Sequence, residues 1–108
     1  MSERTYIIAL DGLDPVVDSA GIKSFIRANE RDFKNWWNHI PYVFLVTSEM
    51  SADAIAERLK PFSHGSSFVV MEVNPANSEG WLPERAWNWI RKRSSSRAGE
   101  LLSRIRES

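Results

Sequence analysis

Carboxylates that could bind a divalent cation lie close together near the N-terminus. Mg²⁺ takes oxygen ligands and needs only one or two protein carboxylates beside water and phosphate, so Asp11, Asp14 and Asp18 could form such a site. A symmetric dimer could bring two copies of Asp11 together. In the alternative interpretation, which we favour, Asp11-Gly12 and Asp14-Pro15 are turn dipeptides and Asp18 starts a helix.

The other chemical groups of the sequence are sparse. His39 and His64 are the only histidines, and neither has the spacing of a Ser/His/Asp triad or of a metal site. There is no cysteine, no glycine-rich phosphate loop and no cofactor fingerprint. We therefore expect no cofactor, except Mg²⁺ if Asp11 is catalytic.

Five of the twelve aromatic residues are tryptophans. Stacking on nucleic-acid bases suits Trp87 and Trp89 best, because a basic cluster follows them. That cluster consists of Arg91, Lys92, Arg93 and Arg97. The alternative is packing in a core or interface, where large aromatic side chains contribute most.

The adjacent pair Trp36-Trp37 lies on a predicted helix. Neighbouring residues cannot share one helix face, so we expect one tryptophan to face the core and the other to face a partner or a loop. We interpret the pair as a clamp between the end of the helix, the next strand and the loop that carries Trp81.

Charge is unevenly distributed along the 108 residues, whose formal net charge is zero. Residues 1–84 carry 7 Lys/Arg against 12 Asp/Glu, a net of −5, and residues 85–108 carry 7 against 2, a net of +5. An acidic body is poorly suited to gripping phosphate backbones. The basic end is a solvated helix face or an arm for nucleic acid or an acidic partner.

The apolar run near the N-terminus is too short for a signal peptide or membrane span, so we expect no membrane association and a cytoplasmic location.

The apolar pattern predicts alternating strands and helices. Predicted strands are Thr5–Leu10, Tyr42–Thr47 and Phe68–Val73. Helices are predicted from Asp18-Ser19 to just before Pro41, from Ser51 to Pro61 and from about Leu82, with a short C-terminal amphipathic helix beyond the serine triplet. This order indicates an α/β (α+β) fold, a split β-α-β plait with helices on one face of the sheet. We assign residues 1–93 to this domain and residues 94–108 to a basic helical tail.

About half of the chain resembles the small bacterial proteins described as SinR-like. The elements of the resemblance, in order, are Trp36-Trp37-Asn38-His39, the strand Tyr42–Thr47, Ser51-Ala52, the strand Phe68–Val73, Trp81 and Trp89. SinR-like proteins are in turn similar to the small subunit of the CRISPR adaptation complex and to VapD toxins. The resemblance implies a ferredoxin-like fold, a dimer and a part in bacterial or phage defence.

That wider group also carries an aspartate at the end of the first strand, around which metal-dependent ribonuclease activity has been proposed. Asp11 occupies this position, although the preceding residue is Leu10 where the group usually has tyrosine. The group often breaks its second strand into a hairpin-like pair, which implies a bend or split within Tyr42–Glu49.

Two functions follow. The first is a non-catalytic homodimeric scaffold or regulator, because exposed sheet edges are commonly paired through a two-fold axis. Its tail would dock through Leu101, Leu102 and Ile105 onto its own domain, the other protomer or another protein, since so short a helix is marginal alone. The second is a Mg²⁺-dependent endoribonuclease centred on Asp11. Nucleic-acid binding by the basic tail is a narrower third possibility.

Overall fold

The computed structural model describes residues 3–93 and contains two compact units, Met1–Val73 and Asn74–Ser108. The first unit contains four strands and two helices: β1 (Arg4–Leu10), α1 (Ser19–Ala28), β2 (Asn35–Ile40), β3 (Val43–Ser48), α2 (Ala52–Ser63) and β4 (Phe68–Glu72). In the second unit, α3 covers residues 84–93. The tail predicted over 94–108 lies outside the described residues.

The sheet of the first unit is antiparallel throughout, with strand order β2-β3-β1-β4. β3 lies between β1 and β2, the two strands that α1 connects, and β1 lies between β3 and β4, which α2 connects. Two interlocked split β-α-β units of this kind are compatible with a ferredoxin-like plait. The α+β class predicted from the sequence is thereby confirmed.

The core of the first unit lies between α1, α2 and one face of the sheet. Tyr6 and Ile8 of β1 and Phe44 and Val46 of β3 point to this face, because alternate strand residues share a side. Phe33, in the loop before β2, and four helical residues complete the cluster; the helical residues are Ile22, Ile26, Ile55 and Leu59. The hydroxyl of the buried Tyr6 donates to the Met50 carbonyl at 2.6 Å, so its one polar atom is satisfied.

The helix ends follow local capping chemistry. Asp18 precedes α1, and its Oδ1 accepts from the Gly21 amide at 2.8 Å. Ser51 precedes α2 in an extended conformation, and its hydroxyl accepts from the Ala54 amide at 3.2 Å. The C-cap of α2 is His64, in the left-handed region with φ 51°.

The prediction that the first helix continues almost to Pro41 is wrong. α1 ends at Ala28, where the Asn29 side chain donates to the Phe25 carbonyl at 2.8 Å and the chain turns. The segment that follows becomes β2, so Trp36 and Trp37 lie on a strand. The first unit therefore has four strands where the sequence predicted three.

The hairpin of the sheet also differs from the expectation. β3 is one strand from Val43 to Ser48, without the split that the resemblance implied for Tyr42–Glu49. Its hairpin partner is the preceding strand β2, and Tyr42 turns between them with φ 65°.

α3 begins after a loop that starts at Asn74. The Pro83 carbonyl accepts from the amides of Ala86 and Trp87 at 3.0 and 3.2 Å, which forms the first turn of the helix. Ala86 and Ile90, one turn apart, are buried. None of the helices in residues 3–93 has the length and apolar character needed to cross a membrane.

Candidate functional site

The aspartates of the β1–α1 loop bond to nearby backbone amides. Asp11 Oδ1 accepts from the Leu13 amide at 3.0 Å, and Asp14 Oδ1 accepts from the Val16 amide at 3.1 Å. With Asp18 at the start of α1, the three carboxylates have the contacts of turn and helix-cap residues.

Asp11 is nevertheless placed where a reactive carboxylate could be reached. It is exposed and follows directly on β1, where its amide donates to the Ser67 carbonyl at 3.2 Å. Within residues 3–93 there is no group of three or more His, Cys, Asp or Glu residues that could hold a metal. The assignment of Asp11 as a metal ligand or catalytic group stays a prediction.

The two histidines are exposed residues on other elements than the loop that carries Asp11. His39 is exposed on β2, with its ring centroid 5.3 Å from that of Trp37. His64 is exposed at the end of α2, where its backbone makes the left-handed turn.

Strand alternation separates the adjacent tryptophans. Trp36 is opposite Val46 and packs against the core, with the Arg27 guanidinium 5.9 Å from its ring centroid. Trp37 is opposite Leu45 on the other side of the sheet, 6% exposed, and its indole N–H has no hydrogen-bond partner. Trp81 is 99% exposed, so it does not pack into the clamp predicted from the sequence.

β4 forms one edge of the sheet of the first unit. The Val73 amide donates to the Thr5 carbonyl and the Asp11 amide to the Ser67 carbonyl, so odd-numbered residues of β4 face the backbone of β1. Three residues of β4 therefore direct their amides and carbonyls outwards: Phe68, Val70 and Glu72. Their backbone groups have no partner strand among the described residues.

The opposite edge is protected by its own irregularity. The ladder between β2 and β3 shifts register between Trp37 and Ile40. The Asn38 side chain occupies this bulge and donates to the carbonyls of Ile40 and Val43 at 3.0 and 2.8 Å. A bulged edge resists pairing with another strand, whereas β4 has no bulge, no proline and no lysine.

The second unit contains a surface cavity of about 420 Å³, widely open to solvent, between the 75–79 loop and α3. The loop contributes Pro75, Ser78 and Glu79 to its wall. The helix contributes Trp87, Ile90 and Arg91.

The basic residues predicted to contact nucleic acid divide between two sides of α3. Arg91 lines the cavity, whereas Lys92 is exposed and does not. The Arg93 guanidinium lies 4.7 Å from the ring centroid of Trp89. Four of the predicted interaction residues lie outside the described residues: Arg97, Leu101, Leu102 and Ile105.

Sequence reasoning missed both the β4 edge residues and the loop side of the cavity. Strand order decides which strand is an edge, and that order depends on contacts between distant segments. The only local signal for the edge was the continuous apolar run from Phe68, without a charge before Glu72. The only signal for the cavity was the tryptophan and arginine one turn apart on a helix.

Comparisons with protein-family models, with curated proteins and with solved structures find no match for this chain.

Proposed function

We propose that the chain is a non-catalytic, cytoplasmic scaffold or regulatory module that works as a homodimer, in the manner of the SinR-like group. The observation that carries this proposal is the unpaired edge of β4. Five consecutive residues without proline or lysine present three outward-facing peptide groups, which is a template for a further strand.

A second copy of β4 fits this edge in one favourable antiparallel register. With Val70 on the two-fold axis, Phe68 lies opposite Glu72 of the second copy, so the two glutamates do not face each other. Val69 then lies opposite Met71 on the side of the sheet away from α1 and α2, and these side chains are 45% and 55% exposed in the single chain. Pairing covers both side chains and joins two sheets into one of eight strands.

Proline substitution tests this edge. Val70→Pro removes an amide that points away from β1, so the domain should fold while the dimer dissociates. Val70→Ala removes most of the same side chain but keeps the amide, so it should remain dimeric. Met71→Pro removes an amide that β1 uses and should destabilise the fold itself. Sedimentation equilibrium and thermal denaturation measure the two effects.

The dimer proposal fails if the wild-type chain sediments as a monomer at tens of micromolar. It also fails if Val70→Pro leaves the dissociation constant unchanged, because the contact would then lie on another surface.

The alternative, a Mg²⁺-dependent endoribonuclease centred on Asp11, rests on the resemblance and on the exposure of this carboxylate. We rank it second because Asp11 and Asp14 make the same kind of turn contact. That likeness provides a matched pair, Asp11→Asn and Asp14→Asn. RNA cleavage that a chelator abolishes, and that only Asp11→Asn removes, would establish the enzyme and overturn the non-catalytic assignment.

A further inference from the structure

We propose that the cavity of the second unit binds a nucleotide, with its base against Trp87 and its phosphate at Arg91. The nucleotide is either free or one unit of a single-stranded nucleic acid. This inference is independent of the dimer, because every residue that carries it belongs to the second unit and none belongs to β4.

The open cavity has the volume of a small-ligand site and a mixed apolar and polar lining. Its volume of about 420 Å³ falls in the usual range for such sites. Pro75 and Ile90 are buried apolar parts of the wall, and Trp87 adds a half-buried aromatic ring. A flat heteroaromatic base matches this lining, since stacking on an aromatic side chain tolerates any base.

Arg91 is positioned by an ion pair with Glu84 and a hydrogen bond to Asn88. Its Nη2 donates to Glu84 Oε1 and to Asn88 Oδ1, both at 2.9 Å. These two bonds use the donors of one nitrogen and fix the guanidinium plane. Nη1 and Nε keep three N–H groups, and a guanidinium presents such donors to a phosphate in a matching fork.

The acidic and hydroxyl groups of the wall suit the polar edge of a base. Glu79 Oε1 accepts from the Gly80 amide at 3.0 Å, which anchors the carboxylate and leaves Oε2 to accept from an exocyclic amino group. The Ser78 hydroxyl donates to the Pro75 carbonyl at 2.8 Å, so its oxygen remains an acceptor. These acceptors favour bases that carry an amino group, and uracil lacks one.

The surrounding charge favours a phosphate-bearing ligand. Within α3, residues 84–93, four basic residues stand against one acid: the basic ones are Arg85, Arg91, Lys92 and Arg93, and the acid is Glu84, which is ion-paired with Arg91. Arg85 and Lys92 are exposed outside the cavity, where they could meet neighbouring phosphates of a strand.

Calorimetric titration of the full chain tests the site with AMP, CMP, GMP, UMP and inorganic phosphate. A fluorescent single-stranded oligonucleotide is titrated in parallel by anisotropy. Saturable binding of a mononucleotide, tighter for AMP, CMP or GMP than for UMP, identifies a free-nucleotide site. Saturable binding of the oligonucleotide with only weak mononucleotide binding identifies a unit of a single strand, and both results support the proposal.

Two matched pairs of variants separate the cavity from general electrostatics. Arg91→Gln and Lys92→Gln remove the same charge from neighbouring positions, and only the first should weaken binding about tenfold or more. Trp87→Ala should weaken it by about tenfold, whereas Trp81→Ala should not, because Trp81 lies outside the cavity. Trp87→Phe retains a ring and should restore part of the loss.

The proposal is overturned if neither ligand class binds saturably. Equal losses for Arg91→Gln and Lys92→Gln would also overturn it, because the helix would then attract anions without a defined pocket. Arg91 is exposed at the surface, so its variant keeps the test valid even if Trp87→Ala impairs folding.

Discussion

The adjacent tryptophans of β2 differ in burial, and their loss should differ in cost. Trp37 is 6% exposed, whereas Trp36 is half-buried at the margin of the core. We expect Trp37→Ala to lower the free energy of unfolding by about 3–5 kcal/mol, the usual range for removal of a buried large aromatic side chain. Trp36→Ala should cost less. Chemical denaturation measures both.

Trp81 provides the matched control for that comparison. It is 99% exposed, so Trp81→Ala should change the free energy of unfolding by less than about 0.5 kcal/mol. A larger loss for Trp81 than for Trp37 would contradict the burial on which the ranking rests.

Asp11 should contribute modestly to stability through its turn. Asp11→Ala removes the acceptor of the Leu13 amide and should cost about 0.5–1.5 kcal/mol, whereas Asp11→Asn keeps an oxygen at the same place and should cost less. Thermal unfolding of the two variants at one pH makes the comparison. Equal losses would mean that the negative charge matters more than the hydrogen bond.

The helices depend on their caps, and Ser51 gives a direct test at the level of an element. Ser51→Ala leaves the Ala54 amide without its side-chain acceptor and should destabilise the domain by about 1 kcal/mol. Ser51→Asp keeps an acceptor and adds a favourable charge at the start of α2, so it should retain or raise the melting temperature. Destabilisation by both variants would argue against a capping role.

The elements whose local sequence pattern fits only one structure were predictable from the sequence. The strand β2, whose pattern also fits a helix, was not. The strands near Thr5, Tyr42 and Phe68 have continuous apolar runs, and Ser51 marks the start of α2. Between Asn29 and Ile40 the signals conflict, because Phe33, Trp36 and Trp37 also fit helical spacing. Pairing with β3 decides the outcome there, and a contact of this kind leaves no mark in the local sequence.

In the candidate sites too, residues on one element were predictable, whereas residues brought together by contacts between segments were not. Trp87 and Arg91 were predictable because neighbours on one helix share a side at fixed spacing. The positions of Ser78 and Glu79 on the other side of the cavity depend on the fold of the loop. The Asn74 side chain shapes this loop by accepting a hydrogen bond from the Ala76 amide at 3.1 Å. The β4 edge required the complete strand order, which no single segment encodes.

For the whole molecule, the apolar residues near the C-terminus lead to a final prediction about residues 94–108. Leu101, Leu102 and Ile105 recur at helical spacing, and a helix so short needs a surface to pack on. Deleting 94–108 should therefore lower the melting temperature, by about 4–8 °C for each kcal/mol of lost contact in a domain of this size. If the segment also joins two protomers, the deletion should weaken dimerisation in sedimentation. A deletion that changes neither the melting temperature nor the mass would show that the apolar residues of the tail pack on neither copy of this chain.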